Sequence, residues 1–205
     1  AEVFLTAYQL LCSIGNLQTN QRVLIHAGAS GVGTAAIQLA KALGAKVAVT
    51  ASSADKLAVC TALGADLTIN YKTNAFEQEL ASQWPQGLDL ILDPVAGGYI
   101  SREIPLLAMD GKIVLYAMMG GHDIPQLNLA PLFKRRGQLI CSTLRNRSNR
   151  YKTNLTQAFS QAFARMLAQR KIQPVLQQQF DWRQAQIAHQ LMASNATSGK
   201  LVLTF

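Results

Sequence analysis

Arg22-Val23-Leu24-Ile25-His26-Ala27-Gly28-Ala29-Ser30-Gly31-Val32-Gly33 is a short apolar run closing on a glycine-rich turn, and the residues after it set up a repeating pattern. Thr34 to Leu43 has helical composition, Gly44-Ala45 breaks it, and Lys46-Val47-Ala48-Val49-Thr50 is a second apolar run ending in Ala51-Ser52-Ser53. Strand, tight turn, helix and strand make a βαβ unit, because parallel strands need a crossover to pair. A glycine-rich turn between strand and helix leaves backbone N–H groups exposed at the positive end of the helix dipole. A pyrophosphate fits there, being anionic and needing close backbone approach.

The spacing is near the dinucleotide fingerprint G-x-G-x-x-G without matching it. Gly28 and Gly33 stand at its first and third glycines, Ser30 occupies the second, and Gly31 is an additional glycine. Serine leaves less room for a pyrophosphate but brings a hydroxyl that can donate to it. An NAD site places an acid at the end of the second strand, where it holds the ribose 2′-OH. Here that position carries Thr50 to Ser53, with no acid before Asp55; Lys56 lies one turn further on. Hydroxyls and a lysine suit a 2′-phosphate, which points to NADP(H) over NAD(H). Ser52 or Ser53 can equally cap the next helix, and the two roles are compatible.

Outward from this unit the same rhythm continues. Gly64-Ala65 repeats Gly44-Ala45 after a helix over 54–63, and Leu67 to Asn70 forms a third strand. A polar helix over 75–84 leads to a fourth strand, 88–93, closed by Pro94; a helix over 99–109 and a turn at Asp110-Gly111 precede a fifth, 112–116. A short helix over 129–134, a sixth strand over 138–142 and a long helix over 151–169 complete the series. The expected fold is α/β, a Rossmann-type doubly wound parallel sheet of six strands. Upstream, residues 3–14 read as a helix capped by Gly15. The expected division is a dinucleotide-binding domain over 1–172 and a strand-helix-strand tail over 173–205 that belongs to another module. Two small-residue loops come after the fourth and fifth strands, Val95-Ala96-Gly97-Gly98 and Ala117-Met118-Met119-Gly120-Gly121. Both lie at strand carboxyl ends, where open α/β sheets take ligands, and would floor a nicotinamide; as ordinary turns they would carry the same glycines.

The chain has 205 residues, 49% hydrophobic and 15% charged, enough for one domain or one domain with a fragment of another. No uninterrupted run of 18 apolar residues suggests a membrane span. It begins at Ala1 with no basic leader to read, which looks like a cut rather than a native start. Cys12, Cys60 and Cys141 share no metal or disulfide spacing; each reads as a buried small hydrophobe in a reducing, cytoplasmic setting. The net charge of +8 gathers in Lys134-Arg135-Arg136 and in Arg145, Arg147, Arg150 and Lys152. That segment matches no nucleic-acid recognition module, so it reads as a solvated edge or a face meeting cofactor phosphates. No Ser/His/Asp set, paired carboxylates or metal cluster is legible. His26 reads as a strand histidine near the cofactor rather than an acid or base. Asp93 reads as an organiser of its loop, and His122 and His189 as surface residues.

The Gly28 loop, Lys56, Asn70-Tyr71, Leu132 to Gly137 and Ser142-Thr143-Leu144-Arg145 together resemble the medium-chain dehydrogenase/reductase superfamily, in particular its zinc-free quinone oxidoreductases. The resemblance implies NADPH-dependent reduction of quinones, or of α,β-unsaturated carbonyls as in alkenal and enoyl reductases, without zinc. It places Ser30, Gly31 and Val32 over the pyrophosphate, Lys56 on the 2′-phosphate and Tyr71 beside the adenosine. Val95 to Gly97 and Ala117 to Met119 would line the ribose and nicotinamide, with Arg145 and Lys200 near the cofactor. It also implies a homodimer joined through the sixth strand. Family members carry an N-terminal catalytic domain of which this chain shows nothing, so the catalytic residues are unassigned and the chain by itself is expected to be inactive. Its tail strands would then pair with a neighbour or stay poorly ordered. A non-catalytic NADPH-sensing module is the alternative.

Overall fold

The computed structural model describes residues 2–124 and 126–205. Six strands form one all-parallel sheet in the order β3-β2-β1-β4-β5-β6: β1 Arg22–Ile25, β2 Lys46–Ala51, β3 Leu67–Asn70, β4 Leu88–Asp93, β5 Leu107–Leu115 and β6 Gln138–Cys141. Leu24 pairs with Ala48 on one side and with Ile91 on the other. Such central strands are apolar throughout because helices cover both faces.

Side chains alternate between the faces along each strand. Val23, Ile25, Val47, Val49, Leu90 and Leu92 pack on one side, against α1 (Glu2–Tyr8), α2 (Gly31–Ala42) and α7 (Asn149–Ala168). Leu24, Ala48, Ile91 and Ile113 pack on the other, against α4 (Phe76–Gln83) and α5 (Gly98–Glu103). On the first side α3 (Ala54–Ala62) contributes Cys60. An apolar stripe of α7, Leu155, Phe159 and Phe163, is buried, and Phe159 meets Phe4 and Tyr8 at centroid distances of 6.1 and 5.7 Å.

Several boundaries differ from expectation for physical reasons. The first helix passes into a π-helical turn over Gln9–Ile14; Gly15 caps it in a right-handed conformation, and Asn16 is the left-handed residue. Gly15 is needed for space, since a Cβ there would lie 2.6 Å from the Leu10 carbonyl oxygen and from Leu90 Cδ2. The helix expected over 99–109 stops early. Pro105 sits in a 3₁₀ turn, Ile104–Leu106, and β5 begins at Leu107. Asp110 and Gly111 therefore lie inside β5, at a bulge where the register with β4 shifts, with Asp110 at φ 62°. Asp110 Oδ1 accepts from Arg136 Nε at 2.7 Å, so one cation of the basic run has a partner. Of the three cysteines only Cys60 is buried; Cys12 is half-buried and Cys141 exposed. Cys141 is on β6, the sheet's edge, which explains its exposure.

The tail forms β7 (Leu176–Asp181), a 3₁₀ turn, α8 (Ala185–Ala193) and β8 (Lys200–Thr204). Its strands pair with each other in parallel. The Gly199 N–H donates to the Ala29 carbonyl at 2.7 Å, which ties the tail to the glycine-rich turn. The remaining helix, α6, is Ala130–Lys134. No described helix is long and apolar enough to cross a membrane.

Candidate functional site

The turn after β1 is built by its own backbone. Ala27 takes φ 52°, Gly28 N–H donates to Thr50 O at 2.9 Å, and Ser30 N–H donates to Ala27 O at 2.9 Å. Ser30 then caps α2 by accepting from Gly33 N–H at 3.0 Å, which leaves its own hydroxyl proton to donate elsewhere. Each glycine serves close approach. A Cβ on Gly28 would meet Val49 at 2.8 Å, one on Gly31 would meet the Lys200 side chain at 2.7 Å, and one on Gly33 would run into the Ala27 and Gly28 backbone.

Beside this turn lies a cleft of about 690 Å³ at the carboxyl ends of β1, β2 and β4. Of the residues singled out in the sequence, Ser30, Gly31, Ser52, Lys56, Tyr71, Val95, Met119 and Lys200 line it. Gly28, Val32 and Gly33 shape the turn from behind without lining the cleft. The two serines divide their roles: Ser52 faces the cleft, and Ser53 caps α3 by accepting from Lys56 N–H. The Lys200 stem crosses Gly31, and among the described residues its ammonium makes no hydrogen bond or ion pair.

A second cleft, about 540 Å³, opens between the ends of β5 and β6 and is lined by Tyr116, Ala117, Met118, Cys141, Ser142, Thr143 and Arg147. Met118 and Met119, adjacent in sequence, thus face different clefts. Among the described residues the Tyr116 and Ser142 hydroxyls are buried without partners. Buried hydroxyls are seldom left so, and a ligand here would satisfy them. Burial, with the Asp93 charge adding to it, raises the Tyr116 pKa well above a free phenol's. The loops after β4 and β5 are bonded together: Met119 N–H donates to Pro94 O at 3.0 Å and Gly120 N–H to Val95 O at 2.7 Å. Ala96 and Gly97, at φ 60° and 55°, support this floor and line neither cleft. Arg145 is exposed and also lines neither; its carbonyl accepts from Lys152 Nζ at 2.9 Å.

Thr50, named with the hydroxyls at the end of the second strand, also lines the cleft, whereas sequence reasoning missed the wall opposite Ser52 and Tyr71, made by Met192, Asn195, Thr197 and Gly199 of the tail, and also Tyr99. No local signal marks these residues, because they reach the cleft only through tertiary structure.

Beneath the first cleft lies a buried ionisable group. His26, Asp93 and Glu103 are all fully buried. Asp93 organises its loop as the sequence suggested, accepting from Val95 N–H at 2.6 Å and Ala96 N–H at 2.9 Å. His26 Nδ1 lies 2.8 Å from Thr50 Oγ1, and Nε2 lies 3.0 Å from Glu103 Oε1. The latter contact is poorly aligned for a hydrogen bond, so burial governs the pair and favours its neutral forms. Burial pushes the His26 pKa down to about 4 and that of Glu103 up to about 8. Burial, reinforced by Glu103, raises Asp93 to about 6. This neutral histidine braces Thr50 at the edge of the cleft.

Among the described residues no three His, Cys, Asp or Glu side chains gather to hold a metal.

The family model described as zinc-binding dehydrogenase matches residues 31–161. The chain is 30% identical over 205 residues to a phenolphthiocerol/phthiocerol polyketide synthase subunit of Mycobacterium tuberculosis, covering 98% of this chain and 9% of that protein. It is 33% identical over 127 residues to prostaglandin reductase-3 of Mus musculus, covering 62% of this chain and 33% of that protein. Among solved structures, it resembles an NAD-dependent alcohol dehydrogenase with a TM-score of 0.84 at 30% identity, covering 99% of this chain and 57% of that one. It also resembles the quinone oxidoreductase from Thermus thermophilus, solved free and with NADPH, with a TM-score of 0.82 at 29% identity, covering 98% and 63%. The chain therefore spans less than two thirds of each.

Proposed function

Because this chain belongs to the zinc-binding dehydrogenase family, within the medium-chain dehydrogenase/reductase superfamily, we propose that it is the NADPH-binding part of an oxidoreductase that reduces quinones. The observation that carries the cofactor reading is the end of β2. Ser52, Lys56 and Tyr71 line the cleft there, at the place where an NAD site would put an acid. Lys56 would hold the 2′-phosphate. Ser30, Gly31 and the ammonium of Lys200 would hold the pyrophosphate at the start of α2. Val95, Ala117, Met118 and Met119 would lie along the ribose and nicotinamide, where Tyr116 and Ser142 offer unsatisfied hydroxyls. Arg145 is assigned a place near the cofactor on the family resemblance alone.

When bound, the nicotinamide supplies a hydride. The chain's residues bind and orient it and keep water from one face, while the substrate wall lies in residues outside this chain. Residues 173–205 would complete that catalytic domain, a reading supported by the exposed Trp182, Ile187, Met192 and Leu203 on the tail. On this reading the enzyme is cytoplasmic and zinc-independent, and it dimerises through β6, an edge strand with Leu139 exposed. A second reading is reduction of an α,β-unsaturated carbonyl, which the family resemblance equally implies.

Titration of the chain with NADPH and NADH, alongside Lys56→Ala, tests the site. NADPH should bind more tightly than NADH, and the substitution should weaken NADPH about tenfold or more while leaving NADH nearly unchanged. Absence of NADPH binding up to about millimolar concentrations, roughly 4 kcal/mol of affinity, would sink the proposal.

A further inference from the structure

We infer that Asn195, on the tail, is a positioning residue that sets the preference for a 2′-phosphorylated dinucleotide by holding the Lys56 ammonium in the cleft. The inference rests on the cofactor reading above. Lys56 is on the first turn of α3 and is 8% exposed. Its Nζ donates to the Asn195 backbone carbonyl at 2.6 Å and to Asn195 Oδ1 at 2.9 Å. An ammonium has three N–H donors, so one residue takes two and leaves the third for a ligand.

The holder is itself fixed. Asn195 comes just after the last turn of α8 at φ 54°, with its N–H donating to Met192 O at 3.2 Å. This left-handed position after a helix is one that asparagine, aspartate and glycine tolerate and other residues resist. The carbonyls gripping Lys56 thus sit at the negative end of the α8 dipole, which favours a cation. Four residues further on, the Gly199–Ala29 hydrogen bond and the Ser30–Gly199 bridge pin the same segment to the glycine-rich turn. Asn195 and Lys56 both line the cleft with Ser52 and Tyr71. Burial lowers the Lys56 pKa, and the positive charge of nearby Lys72 adds to the effect. Without Asn195 the flexible lysine stem would be free to carry its charge out to water, and ordering it again would fall to the ligand.

A purely structural alternative has Lys56 serving only to cap α8. The two differ in which nucleotide is affected. Asn195→Gly keeps the left-handed turn and the backbone carbonyl and deletes only the side-chain acceptor. Asn195→Asp keeps the turn but puts a carboxylate between Lys56 and the incoming phosphate. Binding of NADPH and NADH to the 205-residue chain is measured for wild type and both variants. We expect NADPH affinity to fall about threefold to tenfold in Asn195→Gly and by more than about tenfold in Asn195→Asp, with NADH within about twofold throughout. Parallel loss of both nucleotides, or NADPH affinity unchanged in both variants, overturns the inference while leaving the cofactor site standing. A wild-type chain that binds neither nucleotide overturns the cofactor reading and this inference together.

Discussion

Replacing Glu103 with glutamine should make the protein more stable in mild alkali than the wild type. Glu103 is fully buried and its pKa is raised, by burial first, from an ordinary 4.5 to about 8. The folded chain thus keeps a proton that the unfolded chain releases. The stability this provides is complete below pH 4.5 and drains away as the pH rises to 8. Each tenfold change in proton affinity is worth about 1.4 kcal/mol, so the loss across that window is on the order of 3 to 5 kcal/mol. Asp93, raised to about 6 from 3.8, adds a smaller loss in the same direction. His26 runs the other way: lowered to about 4 from 6.5, it draws stability down as the pH falls below 6.5. Glutamine has the shape of a protonated glutamate and cannot ionise. Urea unfolding tracked by tryptophan fluorescence at pH 5, 6.5, 8 and 9 should show the variant near the wild type at pH 5. At pH 9 it should be ahead by about 2 kcal/mol or more, within the range of that linkage. A wild type no weaker at pH 9 than at 6.5, or a variant that weakens in step with it, would refute the reasoning.

Three other substitutions probe the site and its frame. Ser30→Ala removes the cap of α2 and should cost about 1 kcal/mol in urea unfolding, while also weakening nucleotide binding; unchanged binding would remove Ser30 from the phosphate site. Asp93→Ala strands the half-buried Val95 N–H and the buried Ala96 N–H and should cost about 1 to 3 kcal/mol, measured the same way. Leu139→Asp places a charge on the edge strand β6, and light scattering should show a dimer in the wild type and a monomer in the variant. A wild type that is monomeric at all concentrations defeats the dimer proposal.

The strands and the phosphate turn were legible because their causes are local. Apolar runs of about four to six residues, the Gly44 and Gly64 breaks, both observed at positive φ, and hydroxyls before α3 each act within one turn of chain. The start of β5 was misread because Asp110-Gly111 ordinarily signals a turn. Here the Arg135 carbonyl receives the Asp110 N–H, and Arg136 holds its carboxylate, so the pair is carried inside a strand as a bulge. The candidate site was half legible. Ser52, Lys56 and Tyr71 can be read from their position after β2 and β3. Asn195 and Gly199 have no such local marker, since the hydrogen bonds that bring them to the cleft link residues well over a hundred positions apart. The burial of Glu103 was hidden as well, because a glutamate at the end of a helix ordinarily points to water.

The strand order also bears on how the chain reaches its fold. Residues 22–70 supply β3-β2-β1 and residues 88–141 supply β4-β5-β6, each a continuous stretch whose pairings are short-range, such as Arg22 with Lys46 and Lys112 with Gln138. Only the pairing of β1 with β4, Val23 beside Leu90, joins the two stretches across the sheet. Short loops close at less entropic cost than long ones, so each stretch can condense independently before they zip along this seam. Pulse-labelled hydrogen exchange during refolding should find the amides bonded between β1 and β4 protected after those within either stretch. Equal protection times throughout would mean that the sheet forms in one step, with no seam in its history.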